Sequence, residues 1–240
     1  MHVESIKNGK KIFWILTVLN IALALADGLL TYIGIPDLAL EGNPFVAVFG
    51  FGWGALFIAN LIGLTLIAAF TYYAFVMYRQ PLIPYRTYRE YSSRLFFQRP
   101  DRFRHTFYWF PKNWRAAAAM TGFATGIVAP ITRLIVVTEW VAHITESPWY
   151  SQYNAFRRTL RSQRFDLVVA VVLTIILYIL WKIMYYRKNA KLLAKTDPAA
   201  VYPKYPVTAK AATHCCLSFR FIRRQYFSGF FNTFCILYFR

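Results

Sequence analysis

Two ionisable side chains lie inside otherwise apolar runs, and they are the first candidates for chemistry. Asp27 interrupts Ile12 to Ile35, and Arg133 interrupts Ala116 to Val137. A charge in hydrocarbon is costly, so such a residue pairs, lines a cavity or serves a function. Asp27 lies eight residues before the outer end of its run, roughly 12 Å below it at ~1.5 Å per residue. Asn20 and Thr31 stand seven residues before Asp27 and four after it, so the three share one helical face. Asn60 and Thr65 are the comparable polar groups of the second run. Arg133 falls in the outer half of the third run, at a depth close to that of Asp27. The pair is therefore expected to meet inside a helix bundle, where each would offset the other's burial. Such a pair either fixes helix packing or marks a polar cavity open to the outer side.

A third group is Glu139 and His143, one turn apart, with Glu146 three residues on. Carboxylate and imidazole at that spacing suit a metal. Neither a His-Glu-x-x-His motif nor a second outer histidine accompanies them, so a polar helix end at the interface is the plainer reading. Gly50-x-Gly52-x-Gly54 lies in an apolar run with no strand before it, which argues against a phosphate loop. No nucleophile elbow or P-loop is present, and no cofactor is implied. His214, Cys215, Cys216 and Cys235 do not have the spacing of a structural zinc site. The cysteines are expected to be reduced in a cytoplasmic tail.

The elements that must position these groups follow from composition. AVILMFWYC make up 58% of the 240 residues, against 16% charged, with a net charge of +18. That apolar share exceeds the soluble norm, and it is gathered into four long runs. The first runs from Ile12 to Ile35 and the second from Phe45 to Tyr78. The third runs from Ala116 to Val137 and the fourth from Leu167 to Tyr186. About 20 residues cross a ~30 Å core. The expected fold is all-α: a polytopic membrane protein with a four-transmembrane-helix bundle and interfacial amphipathic helices. The first run continues past Ala24-Leu25-Ala26, so an uncleaved span is expected there and not a signal peptide. The second run is too long to sit straight in a bilayer, which predicts a bend at Gly50–Gly54 or a cytoplasmic extension. Pro84 is expected to open a short helix with Tyr88, Tyr91 and Leu95 on one face, lying on head groups or within a plain loop. Ser147-Pro148 predicts a surface helix with Trp149, Tyr153, Phe156 and Leu160 on one stripe.

Four segments follow from this reading. Residues 1–78 form a transmembrane hairpin, and 79–116 a basic cytoplasmic or interfacial loop. Residues 117–195 form a second transmembrane pair with an outer surface helix, and 196–240 a basic aromatic tail, expected to lack order. With the N-terminus inside, the inner segments carry three, nine and five Lys or Arg, and the outer loops none and four. That bias places both termini in the cytoplasm of a multi-pass cell-membrane protein. The arginines Arg157, Arg158, Arg161 and Arg164 run against the rule. The basic residues suit anionic lipid head groups, through Arg86, Arg89, Arg94, Arg102 and Arg104. No recognition motif points to nucleic acid. The partners expected are the bilayer, its anionic head groups and a second copy in a homo-oligomer.

Leu25-Ala-Asp27-Gly-Leu-Leu-Thr31-Tyr-Ile-Gly34, followed by Glu41-Gly-Asn43-Pro44, resembles a family of short bacterial and archaeal membrane proteins classed as a domain of unknown function. The resemblance covers residues 12–78 and rests on an Asp-x-x-x-Thr turn late in one helix and Glu-x-Asn-Pro opening the next. It implies a helical-pair module built around Asp27, Thr31, Glu41, Asn43 and Pro44, and implies no reaction. Physically, Asn43 suits an N-cap and Pro44 a first helical position. Three functions stand on these residues. A non-enzymatic membrane-embedded binding or organising protein comes first. A transporter or channel subunit using Asp27 and Arg133 comes second. The third is a membrane enzyme on a lipid-linked substrate at the outer face, with Glu41, Glu139 and His143 as acid–base groups.

Overall fold

The computed structural model describes residues 2–3, 6–38, 50, 52–107, 109–159 and 165–196. The protein is all-α, and four of its helices are long and apolar enough to cross a membrane. They are α1 (Gly9–Gly34), α2 (Trp53–Tyr72, extended by a π turn over Tyr73–Met77), α4 (Trp114–Ile144) and α6 (Phe165–Thr196). Shorter helices α3 (Tyr88–Phe97) and α5 (Pro148–Thr159), a 3-10 helix over Phe103–Phe107 and two strands of two residues each, β1 (His2–Val3) and β2 (Gln80–Pro81), complete the described elements. The spanning helices turn large apolar side chains outward. Leu25 is 67% exposed and Phe57 66%, an arrangement suited to lipid as the solvent. The chain divides into two compact units. One comprises Glu4–Gln80 and Ala117–Ile183, the other Met1–Val3, Pro81–Ala116 and Met184–Arg240.

In the first unit, α1 and α2 form an antiparallel pair joined at both ends. Asn8 takes a left-handed conformation before α1. Gly9 then abuts Phe75, whose carbonyl oxygen occupies the place a Cβ would need. Only glycine permits that approach. Phe13 packs on Ala74 and Phe75 in the same cluster. At the other end the Tyr32 and Trp53 rings meet edge to face, 5.4 Å between centroids. The Trp53 indole N–H donates to the Pro36 carbonyl at 2.8 Å.

The α2 helix begins at Trp53, after an extended Gly52 and a Gly50 at φ 64°. Its span is 25 residues, Trp53–Met77, roughly 37 Å. The excess length expected for the second span is therefore not carried by a straight helix through the glycine segment. Residues 39–49 and 51 lie outside the described residues. The span closes in a π turn, where the Tyr78 amide reaches the Tyr73 carbonyl at 2.7 Å.

Against this pair lies α4, one continuous helix of 31 residues with Pro130 inside it. It is longer at both ends than the apolar run predicted. Its small residues take α2 at close range. A Cβ on Gly122 would strike the Phe70 carbonyl, and one on Gly126 would lie 2.7 Å from Thr71 Cγ2 and Oγ1. Phe123 stacks on Phe75 at 5.4 Å. At the far end, Gly34 of α1 leaves room for the Trp140 ring, 2.6 Å from where a Cβ would stand. Trp181 of α6 is fully buried and packs on Tyr78 at 5.8 Å.

In the other unit, α3 begins at Tyr88 because Thr87 caps it, not at Pro84. The Glu90 amide donates to Thr87 Oγ1 at 3.2 Å, and Glu90 Oε2 accepts from the Arg86 amide at 2.8 Å. That pattern resembles a capping box, with the carboxylate reaching the amide one residue before the cap instead of the cap's own. Arg94 adds an ion pair to Glu90 at 2.8 Å. Burial raises the Glu90 pKa, but the Arg86 amide and Arg94 outweigh it, leaving the carboxyl below its ordinary value. The Tyr91 and Leu95 face expected to meet head groups is fully buried. Tyr186 packs on Tyr85, Tyr88 and Tyr91, with centroids 5.0–5.4 Å apart. Burial and Tyr186 push the Tyr85 phenol well above its ordinary pKa. Buried Asn189 copies a strand partner, accepting from the Ile83 amide at 3.0 Å and donating to its carbonyl at 2.8 Å. The α5 helix starts at Pro148, as the Ser147-Pro148 signal predicts. Its Trp149 and Phe156 are exposed, and Leu160 lies outside the described residues. So does the tail 197–240.

Two predictions follow from this packing. Gly122→Ala should destabilise the detergent-solubilised protein by about 1–3 kcal/mol through overpacking. Gly63→Ala, where a Cβ meets nothing within 4 Å, should be neutral or stabilising by up to ~1 kcal/mol. Thermal unfolding measures both, and equal responses would contradict the close α2–α4 contact. For Glu90 the folded pKa is depressed. Its contribution is therefore present above the unfolded value of about 4.3 and lost as pH falls through the lower folded value. The stability gap between the protein and Glu90→Gln should narrow across that acid window. The gap should stay under ~1 kcal/mol, because the pair is partly solvated.

Candidate functional site: a lateral cavity beside a partly buried ion pair

Three helices each send one polar side chain to a common point. Arg133 Nη1 of α4 lies 3.9 Å from Asp27 Oδ2 of α1, with the side chains 17% and 28% exposed. Arg133 Nη2 donates to Asn60 Oδ1 of α2 at 3.5 Å, and Asn60 Nδ2 donates to the Leu56 carbonyl at 3.1 Å. These two contacts join α4 to both α1 and α2. The cluster's two charges cancel, which lowers the cost of holding either in a low-dielectric surrounding. Helix depth alone predicts that Asp27 and Arg133 meet, whereas Asn60 as their third member depends on the fold.

Beside this cluster, α1 and α2 separate around a cavity of about 990 Å³. On α1 it is lined from Phe13 to Tyr32, and on α2 from Trp53 to Tyr72, with Gly126 of α4 also in the wall. The lining positions recur every three or four residues on each helix, so one full face of each contributes. The lined length on α1 runs from Phe13 to Tyr32, roughly 28 Å, close to the ~30 Å hydrocarbon core. The Tyr32–Trp53 contact stands at one end. At the other, Phe13 meets Tyr72 edge-on at 5.2 Å.

The wall is mostly aliphatic and aromatic. Its polar side chains are Thr17, Asn20, Asn60, Thr65 and Thr71. Thr65 and Thr71 turn their hydroxyls back to the Leu61 and Ile67 carbonyls, at 2.8 and 2.6 Å. Thr17 Oγ1 and Asn20 Oδ1 are buried and make no hydrogen bond. Asn20 is only 5% exposed. The sequence singles out Asn20 and passes over Thr17, one turn before it. The Gly122-x-x-x-Gly126 spacing, a recognised signal for close helix approach, was also legible and marks where α2 meets α4.

Other sequence candidates lie elsewhere. Thr31 is buried but does not line the cavity. Glu139 accepts a hydrogen bond from the Tyr153 hydroxyl of α5. His143 packs its ring on Trp140 and Tyr150 at 6.0 and 5.3 Å. Glu146 sits exposed in the following turn at φ 47°. Among the described residues, no three His, Cys, Asp or Glu side chains come together as a metal would need. Glu41, Asn43 and Pro44 lie outside the described residues. Of the basic residues expected at head groups, Arg86, Arg89 and Arg104 are exposed. Arg94 is held by Glu90, and Arg102 contacts His105 at 3.0 Å.

The class that fold and cavity define is a polytopic α-helical membrane-spanning protein. No family model matches the chain, and no curated protein or solved structure matches it either.

The ion pair makes a direct prediction. Asp27→Leu and Arg133→Leu should each destabilise by roughly 1–3 kcal/mol, because each leaves a partly buried charge without its counter-charge. The double variant should recover most of that loss, giving a favourable coupling in a double-mutant cycle. Denaturant unfolding in detergent reads the cycle, and strictly additive losses would show that the two residues do not interact.

Proposed function

We propose that this chain is a non-enzymatic binding protein of the cell membrane, with both termini in the cytoplasm, that takes an apolar bilayer-borne ligand between α1 and α2. The observation that carries this reading is the cavity itself. Its volume lies in the range of small-molecule sites, and its wall is largely apolar with a few placed polar groups, as in such sites generally. Because α1 and α2 are spanning helices, a ligand dissolved in the bilayer needs no aqueous path to reach it. The neutral Asp27–Arg133–Asn60 cluster acts as a clasp joining α1, α2 and α4 beside the cavity. An apolar wall supports a lipophilic occupant over a conducted ion.

The inner basic segments support the orientation, and the exposed Arg86, Arg89 and Arg104 are proposed to meet anionic head groups. Residues 12–78 are proposed to be the helical-pair module that the Asp27 to Pro44 resemblance implies, with the cavity as its binding face.

The test is photolabelling in nanodiscs with a diazirine-bearing alkane, mapped by mass spectrometry. Labelling at Ala24, Leu64 and Ala68 should saturate and fall when unlabelled tetradecane is added. Labelling at outward-facing Ile175 and Ile176 should rise linearly with probe. Gly28→Leu, placed where a Cβ meets nothing within 4 Å, should reduce cavity labelling several-fold. Uniform, non-saturable labelling of both faces would overturn the proposal.

A further inference from the structure

Building on that binding reading, we infer that the ligand carries a hydroxyl group, held midway along the cavity by Asn20 and Thr17. Asn20 stands near the middle of the 26-residue α1. It is nineteen-twentieths buried, lines the cavity, and leaves its carboxamide oxygen without a partner. A polar group buried in this way costs free energy unless something in the site completes it. Thr17 repeats the pattern one turn earlier, with a buried hydroxyl that makes no hydrogen bond.

The Thr17 side chain departs from its neighbours. Threonines in spanning helices ordinarily satisfy themselves by bonding the carbonyl four residues back. Thr65, Thr71, Thr125 and Thr138 all do so, at 2.6–2.9 Å. Thr17 does not, so its buried hydroxyl, donor and acceptor both, is left unsatisfied. Residues three apart on a helix hold their Cβ atoms about 5–6 Å apart, a separation that one small polar group can bridge. A hydroxyl fits both ends. It donates to Asn20 Oδ1 and accepts from Thr17.

Chemistry without a donor fits less well. An alkane leaves both groups unsatisfied, and an ether or ester can serve Thr17 but gives nothing to Asn20 Oδ1. The cavity continues as an apolar wall toward Tyr32 and toward Phe13 on either side of Asn20. The ligand is therefore an amphiphile with one hydroxyl and a long apolar body, in the class of long-chain alcohols and hydroxylated polyprenyl or ring lipids.

Competition against the same diazirine alkane in nanodiscs tests this. Tetradecanol and tetradecane are compared as competitors, and their potency ratio is followed across variants. In the unaltered protein tetradecanol should compete about tenfold better, as one or two recovered hydrogen bonds predict. In Thr17→Val, which keeps the shape, and in Asn20→Leu, the ratio should fall to about twofold or less. Retention of the full ratio in Thr17→Val would overturn the two-point contact. Equal potency of alcohol and alkane in the unaltered protein would overturn the hydroxyl while leaving an apolar site, with water serving the two groups. Failure of both competitors would overturn the binding reading as well. A change in subunit association on Asn20→Leu, with the alcohol ratio unchanged, would overturn the inference in favour of a partner helix.

Discussion

Hydrocarbon offers no hydrogen bonds, so every polar group within a spanning helix must be satisfied by the protein. Much of the spanning structure can be read as the working out of that constraint. Thr65, Thr71, Thr125, Thr132 and Thr138 fold their hydroxyls onto carbonyls of their own helices. The π turn after α2 keeps its amides paired while changing the helix pitch. Asp27 and Arg133, each costly alone, meet, and Arg133 also donates to Asn60. Against this pattern Thr17 and Asn20 stand out, because both line the cavity and both remain incomplete.

Packing determines where that cavity lies. Glycines draw backbones together at a few points: Gly9 on Phe75, Gly122 on Phe70 and Gly126 on Thr71. Without a hydrophobic drive between helices in lipid, such close contacts supply much of the association energy. They fix the Phe13 end of the α1–α2 pair and hold α4 against α2. The Tyr32–Trp53 contact fixes the other end. Between those fixed ends small residues such as Ala24, Gly28 and Ala68 line the walls, and nothing stands opposite Gly28. A pair clamped at both ends and thin in the middle leaves a lateral opening. The Arg133 contacts to Asp27 and Asn60 sit beside it.

Much of this was legible in the residues. The apolar runs gave the four spanning helices, and Ser147-Pro148 gave the start of α5. Asn20, Asp27, Asn60 and Arg133 stood out as polar residues in apolar surroundings. Helix ends were harder. The α2 helix begins at Trp53, not at Phe45, within a run whose hydropathy gives no sign of the break. The α4 and α6 helices continue beyond their apolar runs, because helices do not stop where hydrophobicity does. The Tyr91 and Leu95 face was correctly periodic but assigned to lipid head groups, since amphipathicity says which face is apolar and not what covers it. Capping by Thr87 was readable from Thr-x-x-Glu and starts α3 at Tyr88, four residues beyond Pro84. The cavity was not legible. It depends on the distance between two helices, which neither composition nor period encodes. Thr17 was passed over because a threonine in a span is ordinarily self-satisfied.

A ligand seated between α1 and α2, with Asn20 and Thr17 at its polar midpoint as proposed, would be visible directly in a high-resolution density map of the protein in a lipid nanodisc. Elongated density should run along α1 and α2, with a polar atom about 2.7–3.0 Å from Asn20 Oδ1 or Thr17 Oγ1. A collapsed α1–α2 interface with Asn20 bonded to the protein itself, or a neighbouring helix filling the space, would contradict the proposal.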